Sequence, residues 1–200
     1  MRARDVMSSP VVTATPATAV KDAAGLLASH GFTTLPVVSE DGKLVGVVTE
    51  ADIVRDRFPR DARFRHLHTA DAPPPNIVAD VMTSPATSVD AGTDVVDLVS
   101  TMLDDGIRAL PVVHGDELLG IITRGDLVRL LTRDDEVLAT DLRHRLELYG
   151  DPTRWTVTVH NGTATITDEL NDPTDHHVAE VLATSIPGIT SAHVNHRRDH

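Results

Sequence analysis

Gly46-Val47-Val48-Thr49-Glu50-Ala51-Asp52 recurs 74 positions later as Gly120-Ile121-Ile122-Thr123-Arg124-Gly125-Asp126. In both, a short apolar strand ends on a threonine, and an aspartate follows three residues on. Ile53-Val54-Arg55 and Leu127-Val128-Arg129 then read as helix, so the two polar side chains fall at a helix N-terminus. Unbonded N–H groups and the helix dipole favour an anion there. Threonine can donate its hydroxyl to a phosphate, and aspartate can accept from two vicinal sugar hydroxyls. Thr-x-x-Asp is equally a capping pattern, in which Thr49 and Asp52 only satisfy orphan N–H groups. The fragment alone leaves both readings open.

The repeat extends outward from this stretch. Asp5-Val6-Met7-Ser8-Ser9-Pro10 matches Asp80-Val81-Met82-Thr83-Ser84-Pro85, and Leu35-Pro36-Val37-Val38 matches Leu110-Pro111-Val112-Val113. Each copy is about fifty residues, too small to bury an apolar face alone, so the two are expected to pack as one module. In the first copy Val11 to Thr13 reads as a short strand, and Thr18 as the cap of a helix carrying Val20, Ala23, Ala24, Leu27 and Ala28 on one face. Gly31 reads as its C-cap. The second copy repeats this with Thr93, then Val95, Leu98, Val99, Met102 and Leu103, then Gly106. Two apolar strands follow in each copy, joined through Glu40-Asp41-Gly42 or His114-Gly115-Asp116. The order per copy is strand, helix, strand, strand, helix.

Composition limits the functions available. Forty per cent of the 200 residues are hydrophobic but only three Phe, one Trp and one Tyr are present, so the core is aliphatic and alanine-rich. A formal charge of −12 opposes broad contact with nucleic acid or anionic lipid. Without cysteine there is no disulfide or thiolate chemistry. Neither a signal-peptide pattern nor a window near the roughly 18 apolar residues of a membrane helix occurs, so the expectation is a cytoplasmic protein with no transmembrane segment.

Between the copies, Asp56 to Ala79 holds Ala72-Pro73-Pro74-Pro75 and, counting from Arg55, the arginines Arg55, Arg57, Arg60, Arg63 and Arg65. It reads as a linker, whose arginines either meet a phosphate or acidic partner or form a solvated surface offset by Asp56 and Asp61. After Thr132 the composition changes. Asp134 to Leu148 reads as a helix with Leu138, Leu142 and Leu146 in line. Trp155, Val157 and Val159 alternate with polar residues before the Asn161-Gly162 turn and the strand Thr163 to Thr167. Asp175 to Ser185 reads as a helix with Val178, Val181 and Leu182 on one side, and Ile189 to Val194 as a strand.

No nucleophile elbow, zinc-protease helix, phosphate loop or dinucleotide fingerprint appears, so no catalytic residue is assigned and the chain is read as a non-enzyme. Of the eleven histidines, adjacent His176 and His177 diverge by about 100° on a helix, and His193 and His196 face opposite sides of a strand. No metal site is assigned.

The doubled Pro-Val-Val strand and Gly-hydrophobic-hydrophobic-Thr-x-x-Asp ending resemble a tandem pair of CBS (cystathionine beta-synthase) domains, a Bateman module. The resemblance implies an α/β (α+β) fold with pseudo-twofold symmetry, repeats at 1–58 and 80–132 and a linker at 59–79. It implies two clefts for adenosine compounds, dimerisation through the CBS pair, and a regulatory role. Carried across by position, Thr49 and Asp52 are the phosphate and ribose contacts of one cleft, and Thr123 and Asp126 those of the other, with Val47 and Ile121 against the nucleoside. Met7, Val12 and Phe32 would face the Thr123 cleft, and Met82, Thr87 and Ile107 the Thr49 cleft; plain core packing is the alternative for these.

The copies differ where Arg108 stands for Thr33 and Arg124 for Glu50. Two cations favour a polyanion and Glu50 opposes one. The Thr123 cleft is therefore expected to prefer AMP, ADP or ATP, and the Thr49 cleft to be weaker or to take S-adenosylmethionine. Residues 133–200, of order αββαβ, resemble a BON domain, with Asp168-Glu169 where that family usually has glycine. The resemblance implies binding to lipid or protein, with docking or self-association favoured over lipid by the acidic surface, and the tail is expected to pass the ligand state to a protein partner. The rival is a stress-response scaffold dimer with empty clefts.

Overall fold

A computed structural model describes residues 1–55, 57–58, 74–151 and 153–197. The chain divides into two compact units, Arg2–Arg124 and Gly125–His200.

In the first unit a 3-10 turn, Ala3–Asp5, precedes α1 (Val20–His30), β1 (Thr34–Val38), β2 (Leu44–Thr49) and α2 (Glu50–Val54). The second copy runs from a matching turn, Val78–Asp80, through β3 (Val89–Asp90), α3 (Val95–Asp104), β4 (Ala109–His114) and β5 (Glu117–Thr123) into α4 (Arg124–Leu131). β1 and β2 are antiparallel with Leu35 opposite Val48, and β4 and β5 repeat this with Leu110 opposite Ile122. Each hairpin has its irregularity at the same place, Val37/Val38 and Val112/Val113. Gly42 and Gly115 adopt positive φ in the two turns, which glycine does without steric cost.

The copies interlock, as expected of pieces too small to stand alone. Val78, fully buried, enters the first core beside Val20, Ala23, Leu27, Leu35, Val37 and Val48. Its amide donates to the Thr18 carbonyl at 2.9 Å, while the Ala3 amide, at the other end of the module, donates to the Thr93 carbonyl at 2.8 Å. Each repeat's leading segment thus binds the other repeat.

Local expectations fail in instructive ways. Val11 to Thr13 is not a strand; Ala14 makes an isolated parallel bridge to Val37, matching the two-residue β3 on β4. Ala19, not Thr18, is the N-cap of α1, because the Thr18 hydroxyl accepts from the Thr15 amide at 2.9 Å. Asp94, not Thr93, caps α3, accepting from the Val96 amide at 3.0 Å. Ala28 and Leu103 lie outside the buried stripes. Gly31 does end α1 in the left-handed region. Arg60, Arg63, Arg65, Asp56 and Asp61 fall outside the described residues, while Arg57 donates to the Pro75 carbonyl.

In the second unit α5 (Asp135–Tyr149), β6 (Trp155–His160), β7 (Thr163–Asp168), α6 (Pro173–Thr184) and β8 (Ser191–His196) follow α4, in the order read from the sequence. The sheet order is β6-β7-β8, antiparallel then parallel. Leu138, Leu142 and Leu146 of α5 are buried with Val157, Ile166 and Ile186. On α6 the buried residues are Ala179 and Ala183, and Val181 is exposed: the narrow alanine stripe lets helix and sheet approach closely. Asn161 and Gly162 both take positive φ in the β6–β7 turn. Among the described residues no helix is long and apolar enough to cross a membrane.

Candidate functional site

The ends of β2 and β5 are the centre of interest. At the first, Thr49 and Asp52 form a reciprocal capping box. The Thr49 amide and hydroxyl donate to Asp52 Oδ2 at 2.9 and 2.7 Å, and the Asp52 amide donates back to Thr49 Oγ1 at 3.3 Å. The capping reading is thus realised here; Oδ1 of Asp52 takes no part in the box. At the second, β5 ends on Thr123 and Asp126 lies in the first turn of α4, its carboxylate held by Arg129 at 2.8 Å.

Both strand ends lie against the opposite repeat. Val47 and Thr83 exchange two backbone hydrogen bonds, at 3.0 and 2.9 Å, and Ile121 and Ser8 do the same at 3.1 and 2.9 Å. A β-carbon on Gly46 would stand 2.8 Å from the Thr83 carbonyl oxygen and 3.0 Å from Met82 Sδ; one on Gly120 would stand 2.5 Å from Met7 Sδ. Only glycine lets the other repeat come this near. The structure therefore sets Met82 against Gly46 and Met7 against Gly120, the residues just before Val47 and Ile121.

The remaining residues are distributed less simply. Thr33 is half-buried and its carbonyl accepts from the Glu50 amide at 3.1 Å; Arg108 occupies the matching place, accepting from the Arg124 amide at 3.0 Å. Val12 packs on the first core, Phe32 is half-exposed and stacks on His30 at 5.0 Å, and Thr87 is exposed. Ile107 is half-buried, and its carbonyl is tied to its own repeat through Arg124.

Arg124 corrects the charge argument. Its guanidinium donates from Nε to the Ile107 carbonyl at 2.9 Å and from Nη2 to the Met102 carbonyl at 2.6 Å. It therefore fastens the end of α3 to the loop before β4, satisfying a carbonyl in the last turn of the helix. Arg108 is the exposed cation of the pair, and Glu50 is exposed on the opposite copy. Sequence reasoning missed Gly46, Gly120, Ser8 and Thr83 as site-building residues; the glycine opening each repeated stretch was the available signal.

The tail holds a connected set of ion pairs and hydrogen bonds around Arg154. Arg154 grips the fully buried Asp168 with Nε and Nη2 at 2.5 and 2.7 Å and reaches Asp175 with Nη1 at 2.6 Å. Tyr149 donates to Asp175 at 2.7 Å, and His176 Nε2 lies 3.2 Å from Asp168. Burial alone would push the Asp168 carboxyl up, but hydrogen bonds from Arg154 and the Leu170 amide hold it below its ordinary range. Asp175 is lowered by the Tyr149 hydroxyl and then by Arg154. Asp168 here is a structural anion. Among the described residues no cluster could hold a metal ion.

The CBS domain family model matches residues 3–57 and 78–133. YhcV of Bacillus subtilis, a CBS domain-containing protein, is 32% identical over 124 residues, 62% of this chain and 81% of that one. The CBS domain pair of MJ0100, solved in complex with 5-methylthioadenosine and S-adenosyl-L-methionine, superposes with TM-score 0.53 at 26% identity, covering 65% of this chain and 94% of that one. CBSX2 of Arabidopsis thaliana in complex with AMP superposes with TM-score 0.51 at 28% identity, covering 64% and 93%. The chain spans 45% to 60% of the length of three other curated relatives it matches.

Proposed function

We propose, from the premise that this chain belongs to the CBS domain family, that it is a regulatory, non-catalytic protein whose paired repeats bind an adenosine compound. The observation that carries this reading is the reciprocal wall at each strand end, where Met82 is set against Gly46 and Met7 against Gly120. A nucleoside placed beside Val47 or Ile121 would touch both repeats at once, so its binding would be coupled to how they sit together. Thr49 and Thr123 are proposed to meet phosphate, and Asp52 and Asp126 ribose, with Asp52 using the oxygen its capping box leaves aside. AMP, ADP, ATP and S-adenosylmethionine are the candidate ligands, in keeping with the solved pairs of MJ0100 and CBSX2.

In this proposal residues 1–58 and 80–132 are the sensing repeats, dimerising in the cytoplasm. Residues 133–200, BON-like in their αββαβ order, pass the ligand state to a protein partner. Such coupling is typically about 1 to 3 kcal/mol and reciprocal, so the partner must change nucleotide affinity by the same factor. A second reading is favoured by the closed Thr49–Asp52 box: a scaffold whose couples only cap helices. Thermal unfolding with a panel of adenosine ligands separates them. A ligand at 100 times its dissociation constant adds about 2.7 kcal/mol to native stability. No shift from any ligand at millimolar concentration would leave the scaffold reading standing.

A further inference from the structure

The β6–β7 turn rests on one carboxylate. The Asn161 amide donates to Asp135 Oδ2 at 2.7 Å and the Gly162 amide to Asp135 Oδ1 at 3.1 Å, so the first residue of α5 binds both residues of the turn at once. Asn161 is exposed, and among the described residues it is the one non-glycine with positive φ, at 49°. Asparagine enters this region more readily than most side chains do. Its carboxamide nitrogen donates to His160 Nε2 at 3.3 Å.

The fold requires glycine after this asparagine. Gly162 has a φ of 72°, and a β-carbon on it would stand 2.6 Å from the Gly188 carbonyl oxygen. That pairing has a chemical consequence, because a glycine nitrogen is unhindered and can attack the side-chain carbonyl carbon of the asparagine before it. The bond from the Gly162 nitrogen to Asn161 Cγ forms, the Cγ–Nδ2 bond breaks, and the proton of the Gly162 nitrogen leaves with Nδ2 as ammonia. Water then opens the resulting imide at either carbonyl, leaving aspartate or isoaspartate; nothing is oxidised or reduced. Asparagine is counted among the thermolabile residues. In the native turn the attacking nitrogen is occupied: its N–H is bound to an acceptor-only carboxylate, and the Gly162 carbonyl, on the next peptide, is fixed by the Thr190 amide at 2.8 Å.

We propose that Asn161 is a self-modification site guarded by Asp135, and that its conversion is a one-way latch on the first turn of α5. While Asp135 holds both amides, imide closure is blocked. Once α5 releases the turn, the Gly162 nitrogen is free to attack. The product sets a new carboxylate beside that of Asp135, or inserts a main-chain carbon between the two amides that Asp135 binds. Like charge in the first case and altered spacing in the second keep the clamp from re-forming. The latch lies within the C-terminal unit and does not rest on nucleotide binding.

The test incubates the full-length parent, Asp135→Ala and Asp168→Asn side by side and follows the peptide containing Asn161 by mass spectrometry, which reads the change from amide to acid. Asp135→Ala should convert about tenfold faster than the parent, the order expected from releasing one charge-assisted hydrogen bond. Asp168→Asn weakens the opposite end of the same hairpin and should convert at close to the parent rate. Asn161→Asp, which is one of the products, should exchange the amide hydrogens of residues 161 and 162 faster than the parent, with its circular dichroism unchanged. An Asp135→Ala chain that converts more slowly would make Asp135 the base of the reaction instead of its guard. Equal rates in Asp135→Ala and the parent, an Asp168→Asn rate matching that of Asp135→Ala, or unchanged exchange in Asn161→Asp would likewise overturn the proposal.

Discussion

Met7 and Gly120 are in contact across the two repeats, the methionine sulfur standing 2.5 Å from where a β-carbon on the glycine would lie. Met82 and Gly46 mirror them, but there the nearest atom is the Thr83 carbonyl oxygen, at 2.8 Å, which is bound into the ladder with Val47. A methionine can turn aside and a laddered carbonyl cannot. Both Gly46→Ala and Gly120→Ala should destabilise by about 1 to 3 kcal/mol, Gly46→Ala more. Met7→Ala should relieve Gly120→Ala in a double variant, whereas Met82→Ala should do little for Gly46→Ala. Urea midpoints of the four single and two double variants check this. Equal rescue on both sides would refute it.

Arg124 acts within its own repeat, and its replacement should show as lost stability. Arg124→Ala leaves two partly buried carbonyls without a charged donor, a loss of about 1 to 3 kcal/mol. Arg124→Lys should recover only part, since an ammonium lacks the planar fork that serves both acceptors. Denaturation without ligand is the measurement. An Arg124→Ala chain of unchanged midpoint would return the residue to the role of phosphate contact.

These two cases show what the sequence could and could not disclose. The doubled stretch around Thr49 and Thr123 made the repeats, hairpins and tail order legible, because apolar periodicity and turn residues act locally. It could not say whether Arg124 faces a ligand or its own backbone, because both are charge-assisted hydrogen bonds. Residue type points to Thr18 and Thr93 as caps, and in each case the place goes to the next residue, Ala19 and Asp94. Val181 looked like core by spacing, but the sheet approaches α6 along the smaller Ala179 and Ala183. Asp168 was the least legible. A buried carboxylate needs its partner in space, and nothing local marks Arg154, fourteen residues earlier, as that partner.

That partnership makes the tail acid-sensitive. Asp168 and Asp175 are both held below their ordinary range in the folded chain, so the unfolded chain binds protons first as pH falls. Their contribution is fully present above about pH 4 to 5 and is lost as pH drops through the depressed folded values. Asp168→Asn should cost about 1 to 3 kcal/mol at neutral pH, because Arg154 loses its bidentate partner while keeping Asp175. It should also flatten the acid limb of the stability curve. The single tryptophan, Trp155, lies under Arg154 at 4.4 Å and reports on this unit by fluorescence. An acid limb as steep in Asp168→Asn as in the parent chain would count against the assignment.

Arg108 is the residue on which the difference between the two strand ends now turns. Arg124 is committed to the Met102 and Ile107 carbonyls, and Glu50 stands exposed at the corresponding position of the first copy. One exposed cation beside a phosphate is worth on the order of 1 kcal/mol, about fivefold in affinity. Arg108→Ala should therefore weaken ATP about fivefold and leave uncharged adenosine nearly unchanged. Glu50→Gln should strengthen ATP binding by a smaller factor, by removing a like charge near the first site. Titration calorimetry of both ligands against both variants separates charge from shape. Equal loss of ATP and adenosine in Arg108→Ala would mean that the arginine supports the loop before β4 rather than the phosphate.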